Sequence, residues 1–422
     1  MLEMVERHVK AAATVLSFAV LAHASTCYGL PTFTFTDIAD TSTVAPGAGG
    51  EAFATFGLPS ISSGTVAFPG QTTLVQGIYT GGGSPLSVIA DTTMAAPGGG
   101  GTFTTFGLPI INAGTTAFVA LPAGIYTGGG TLSALTRAGS PAPGGGLFTS
   151  FGTFASIDGA GTVAFRASTD AFGVSGIYTA TPSGGSTLLS RLVAIGNPAP
   201  SGGTFTSFGE PSIENGTVAF HANTNTGVSG IYRATPSGGS TLLSRLLAVG
   251  DPAPGGGIFT LLGGPSINAA GTVSFFAFTS LGTGIFTATS GGGLTILAGT
   301  STPIPNGAGN FTSFGSPAID GEAVAFLGFG LAGQLGLYLA VSGDLFKVVD
   351  LTDTVFGKTL ESIGFFNEGL SGSALTFLAQ FTDGSRAIVR ADGTAAVPEA
   401  ATLLLVAAGF VAALLVRRLA RA

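Results

Sequence analysis

The sequence predicts an all-β fold, a seven-bladed β-propeller, from three observations. A Phe-x-x-Phe-Gly element recurs: FATFG ends at Gly57, FTTFG at Gly107 and FTSFG at Gly152, Gly209 and Gly315, with degraded copies FTLLG at Gly263 and LESIG at Gly364. After each copy come GTVAF and then GIY, or variants of them, so every unit of about 50 residues holds four short β-rich runs. No segment has helical periodicity. A four-stranded unit repeated seven times is the pattern of a propeller, with six or eight blades as neighbouring possibilities. A β-helix or open stack usually has shorter repeats, and it leaves unexplained a seventh unit split between the two ends of the region.

Each part of the unit has a local reason. In TVAF, Val218 and Phe220 face one side and Ala219 the other, apolar or small on both faces, as expected of a blade covered by two neighbours. The turn before it carries Asp or Asn with Gly, as in SIDGAGTVAF (156–165) and SINAAGTVSF (266–275), residue types that tolerate positive φ. The aromatics Tyr79, Tyr126, Tyr178, Tyr232, Phe286 and Tyr338 recur at one strand position, which a blade-to-blade core demands and a sugar-stacking row does not. Runs such as PAPGGGLFTSFG lead into another strand and lack Lys, so they are inter-blade connectors rather than phosphate cradles. The seventh unit supplies LESIGFF, ALTFLAQF and RAIVRAD and then stops. Its missing run lies at residues 32–47, TFTFTDIADTSTVAPG, which aligns with LSVIADTTMAAPGGG at 86–100. An N-terminal strand completing the last blade would seal the ring and remove its open edges.

Two segments flank the propeller region, 25–394. Residues 1–24 read as a signal peptide: Arg7 and Lys10, an apolar run, then Ala22-x-Ala24 before Ser25. Within 395–422, residues 400–416 carry no charge and as a helix would span roughly 26 Å, the short end of a membrane crossing. Arg417, Arg418 and Arg421 come next and orient that span with its end in the cytoplasm.

Val397-Pro398-Glu399 ahead of one helix and an Arg cluster resembles the PEP-CTERM sorting signal, departing from it at Ala400, where a second Pro is usual. The resemblance implies cleavage by an exosortase-type processing peptidase and delivery to the cell surface or extracellular matrix of an exopolysaccharide-producing bacterium, with extracellular polysaccharide as a partner. A permanent inner-membrane anchor through 400–416, facing the periplasm, is the alternative. The units over 32–392 resemble NxxGxxAF repeats and TolB-type blades. Asp158-x-x-Gly161-x-x-Ala164-Phe165 fits with Asp for Asn, and Asn268-x-x-Gly271 fits with Ser274 for Ala. This second resemblance implies architecture and no particular activity.

Composition excludes several functions. Only 8% of residues are charged, the net charge is −7 and no Lys/Arg cluster precedes Arg417, so a nucleic-acid partner is excluded. Cys27 is the single cysteine, which rules out an intrachain disulfide. His221 is alone in the body of the chain and reads as structural. Glu210 with Glu214, and Asp350 with Asp353, are close in sequence, but sequence does not place either pair in a cleft, where glycoside hydrolysis would need it. No calcium-type loop occurs. No catalytic, cofactor-binding or metal residue is assigned, and no cofactor is expected. The expected role is a non-enzymatic scaffold or ligand-binding propeller. The alternatives are a carbohydrate-active hydrolase or lyase using carboxylates at the channel mouth, or a membrane-anchored periplasmic interaction protein. An Asp/Glu/Arg cluster at one end of the channel would favour the enzyme, and a Gly/Ser/Ala lining would count against it.

Overall fold

The computed structural model describes residues 32–171, 175–237 and 240–394. The signal-peptide residues Ala22 and Ala24, the sorting residues Val397, Pro398 and Glu399, the span 400–416 and Arg417, Arg418 and Arg421 lie outside the described residues. Among the described residues no helix is long and apolar enough to cross a membrane. Among the described residues the one helical element is a short 3-10 turn, Leu331–Gly333.

Thr34–Asp392 forms one compact unit. It contains seven antiparallel sheets, one per repeat, so the expected blade number holds. In blades 1 to 6 the strands pair in chain order from the axis outward. Blade 7 differs as expected: Phe33–Asp40 pairs with Arg386–Gly393 and supplies the outer strand. Of the other unit, Thr32, Phe33, Gly393 and Thr394 are described, and there the Thr394 amide donates to the Thr32 carbonyl at 3.0 Å.

The repeated motifs have physical causes. In each of blades 1 to 6 an FG-element ring meets the GIY ring edge-on: Phe53–Tyr79 at 4.9 Å, Phe148–Tyr178 at 5.1 Å and Phe311–Tyr338 at 4.9 Å between centroids. The AF ring stacks on the same tyrosine, as for Phe165 on Tyr178 at 5.9 Å. These rings are buried, which settles them as core rather than a sugar platform. The Gly of GIY lies beneath its own tyrosine: a Cβ on Gly336 would meet Tyr338 Oη at 2.7 Å. Between Ile and Tyr the register slips by a β-bulge at the same place in blades 3 and 4, Ile177/Tyr178 and Ile231/Tyr232. In IENGTVAF (213–220), one residue shorter in the turn than SIDGAGTVAF, the chain closes as a two-residue turn with both φ positive, Asn215 at 49° and Gly216 at 71°.

Candidate functional site

The innermost strand of most blades is split by the Pro of G-x-P, since Pro offers no amide to the ladder. Beyond the split, a segment of two or three residues faces the axis. These segments are Ser60–Ser62, Ile110–Asn112, Ser212–Glu214, Ser266–Ile267, Ala318–Asp320 and Leu370–Ser371. Blades 3 and 7 have no Pro here: the blade 3 strand Phe148–Ile157 runs through unbroken, and in blade 7 the longer run FFNEG makes the break. Each segment touches the next and the last touches the first, so the seven close a channel.

Two belts of hydrogen bonds tie this ring. In the first, a serine hydroxyl accepts the amide of the next blade: Ser60 from Ile111 at 3.2 Å, Ser156 from Ile213 at 3.2 Å, Ser212 from Ile267 at 3.3 Å and Ser266 from Ile319 at 3.4 Å. In the second, the side chain two residues further along reaches the next blade's turn. Ser62 accepts from the Ala113 amide, Asp158 from Gly216, Asp320 from Gly372 and Ser371 from Ser63, while Asn112 donates to the Ile157 carbonyl and Asn268 to that of Gly321. Asp158 and Asn268 also accept amides within their own turns, Ala160 and Thr162, and Ala270 and Thr272. The turn role expected of these residues is therefore correct.

Glu214, at the same position in blade 4, makes no such bridge and meets the Asn112 amide at 3.3 Å. Together with Asp320 and Glu368 it lines a polar cavity of about 250 Å³, to which all seven blades contribute. Glu368 keeps some exposure to this channel while protein surrounds it. Burial pushes its carboxyl up to about 7, with Glu214 adding to the rise against hydroxyls donated by Ser156 and Ser212, each at 3.4 Å. Glu214 is raised too, by burial first and then by the charge of Asp158, against hydrogen bonds from the Asn215 amide and Asn112. No Lys, Arg or His lines the cavity. The lining of carboxylates, Ser, Asn and Ile without Arg falls between the two linings weighed from sequence, the charged cluster of an enzyme and the Gly/Ser/Ala wall of a passive channel.

Neither carboxylate pair read from sequence lies together in the channel. Glu210 is held away by Arg166 at 2.8 Å and by the Thr153 amide, while Glu214 faces the channel. Asp350 and Asp353 both clasp Lys347, at 3.1 and 2.9 Å. His221 bonds Ser229 Oγ at 2.7 Å, and burial lowers its pKa, consistent with its structural reading. Glu368 escaped sequence reasoning; the only signal was GFFNEGL, two residues longer from Gly to the axial Leu than GLPSI of blade 1. Among the described residues no three His, Cys, Asp or Glu side chains are grouped to hold a metal ion. An open apolar groove of about 700 Å³ lies between blades 2 and 3, against Phe106, Leu108, Val119 and Phe151, with no titratable side chain in its lining.

The profile of a family of unknown function, DUF7453, matches residues 32–173 and 125–350, most of the ring. The chain belongs to this family. No curated protein matches the DUF7453 chain by sequence. Among solved structures, it is similar to the polysaccharide lyase Uly1, with 11% identity, a TM-score of 0.47 and 86% of this chain on 99% of that one. It is also similar to prolyl endopeptidases (11%, 0.46, 80% on 50%) and to Trypanosoma rangeli sialidase (10%, 0.37, 85% on 59%). The chain spans 50–58% of the length of the first peptidases it matches. At these values the likenesses bear on no activity.

Proposed function

We propose that this protein is an exported, non-enzymatic propeller that serves as a scaffold or ligand-binding module at the cell surface or in the extracellular matrix of an exopolysaccharide-producing bacterium. The observation that carries the non-enzymatic part is the commitment of the axial side chains. At six of the seven equivalent positions, Ser62, Asn112, Asp158, Asn268, Asp320 and Ser371, the polar group is used to hold the neighbouring blade. A catalytic site needs polar groups left free for a substrate, and this ring leaves few. Sorting rests on Val397-Pro398-Glu399, the apolar run 400–416 and Arg417, Arg418 and Arg421, with Ala22 and Ala24 marking the export cleavage and an exosortase-type peptidase as the processing partner.

The deciding measurement is the mass of the C-terminal peptide of the protein isolated from its own cell fractions. A chain ending near 397–400 in the outer or matrix fraction supports sorting. A chain ending at Ala422 in the inner membrane overturns it and leaves the anchored periplasmic alternative. Incubation with the cells' own extracellular polysaccharide tests the rest: retention with unchanged chain length supports a scaffold.

A second reading has one observation behind it. Glu368, pushed up to about 7, is a carboxyl still partly protonated near neutrality, and a second carboxyl, Glu214, lines the same cavity; glycoside hydrolysis uses one such raised acid with one ionised carboxylate. New chain ends in the polysaccharide would establish this reading over the first.

A further inference from the structure

Blade 7 carries two more residues than blade 1 between its Gly and its axial Leu or Ile, and the lengthened stretch between the two strands is Phe365 to Gly369. Its contacts reach most of the ring. Phe366 is buried in a cluster with Leu58 of blade 1, Leu108 of blade 2 and Phe154 of blade 3, meeting Phe154 edge-on at 5.2 Å. The Glu368 carbonyl accepts the Ile61 amide of blade 1 at 3.2 Å. Its carboxyl takes the hydroxyls of Ser156 in blade 3 and Ser212 in blade 4, and the Asn367 carbonyl takes that of Ser266 in blade 5 at 3.3 Å. One short segment of the blade that joins the chain ends therefore holds blades 1 to 5. Phe366 packs beside the G-x-P residues Leu58 and Leu108, while Glu368 lines the cavity with Ser62, Asn112 and Asn268.

We infer that this segment is a pH-responsive brace: it locks the closing blade across the axis while Glu368 is protonated and slackens when Glu368 ionises. The charge, once formed, has no cation to meet. From blade 4 it faces Glu214; from blades 3 and 6 come Asp158 and Asp320; blades 1, 2 and 5 present Ser62, Asn112 and Asn268. Its hydrogen bonds in the ring are two hydroxyls at 3.4 Å, long for a carboxylate. Because the folded carboxyl titrates above its unfolded value of 4.5, the stability it contributes is complete below pH 4.5 and lost as pH rises through about 7.

The test uses the isolated protein. Its thermal midpoint, followed from pH 4.5 to 8.5, is expected to fall by about 5 °C. Glu368→Gln is expected to remove the larger part of that fall, the remainder belonging to Glu214 and to Asp37, whose carboxyl burial pushes up to about 6, and Glu214→Gln is expected to move the fall to lower pH. Hydrogen exchange of Phe33–Asp40, corrected for its intrinsic pH dependence and followed in an Asp37→Asn background because burial pushes the Asp37 carboxyl of that strand up to about 6, is expected to quicken above pH 7 only where Glu368 is kept. A Glu368→Gln protein keeping the wild-type slope, or unchanged exchange in that strand, overturns the brace. Should the variant fail to fold, infrared titration of the carboxyls in an Asp37→Asn protein decides: a protonated carboxyl persisting above pH 6 supports the inference, and none overturns it.

Discussion

Blade 7 and blades 1 to 6 solve the same packing problem with different residues. In the six, a phenylalanine, a second phenylalanine and a tyrosine or phenylalanine fill one inter-strand space, as with Phe205, Phe220 and Tyr232. In blade 7 those positions hold Leu360, Phe377 and Val389, and Phe35 from the N-terminal strand meets Phe377 edge-on at 6.2 Å. The six are built from one continuous stretch of chain each, so a repeated motif suffices. The seventh is assembled from both ends of the ring, and it also carries the segment that crosses the axis. Its sequence has diverged where it does this second job. Closing a ring is a different task from extending one.

The comparison can be broken most severely at the seam. Removing residues 33–40 is expected to abolish cooperative unfolding, because the Arg386–Gly393 strand becomes an open edge; circular dichroism melts and size exclusion check this. Next come the cores. Tyr232→Ala is expected to cost about 4 kcal/mol in urea unfolding, with loss of the Ser201 hydrogen bond included, and Val389→Ala about 2 kcal/mol, the smaller side chain at the matching place in blade 7. Glu368→Gln separates brace from core: it is expected to leave stability unchanged near pH 4.5 and to raise it at pH 8 by no more than about 3 kcal/mol, measured by the same unfolding curves. The smallest effect belongs to the belt. Ser60→Ala is expected to cost about 1 kcal/mol, since blades 2 and 6 already manage with Ile110 and Ala318 at that position.

What the residues alone determined was everything periodic. Blade number, strand order, the turn role of Asp158 and Asn268, the buried tyrosines and the N-terminal strand that completes blade 7 all repeat every 50 residues or so, and each depends on neighbours one strand or one blade away. The proposed destination of the chain rests on residues alone, since Ala22, Ala24 and the segment from Val397 onward lie outside the described structure. Only the tertiary structure decided the axis. Glu368 meets Ser156 across 212 residues and Ser212 across 156, and Glu210 parts from Glu214 although four positions separate them. Such contacts arise where seven segments converge after the ring has closed. They have no period, so a repeat cannot announce them.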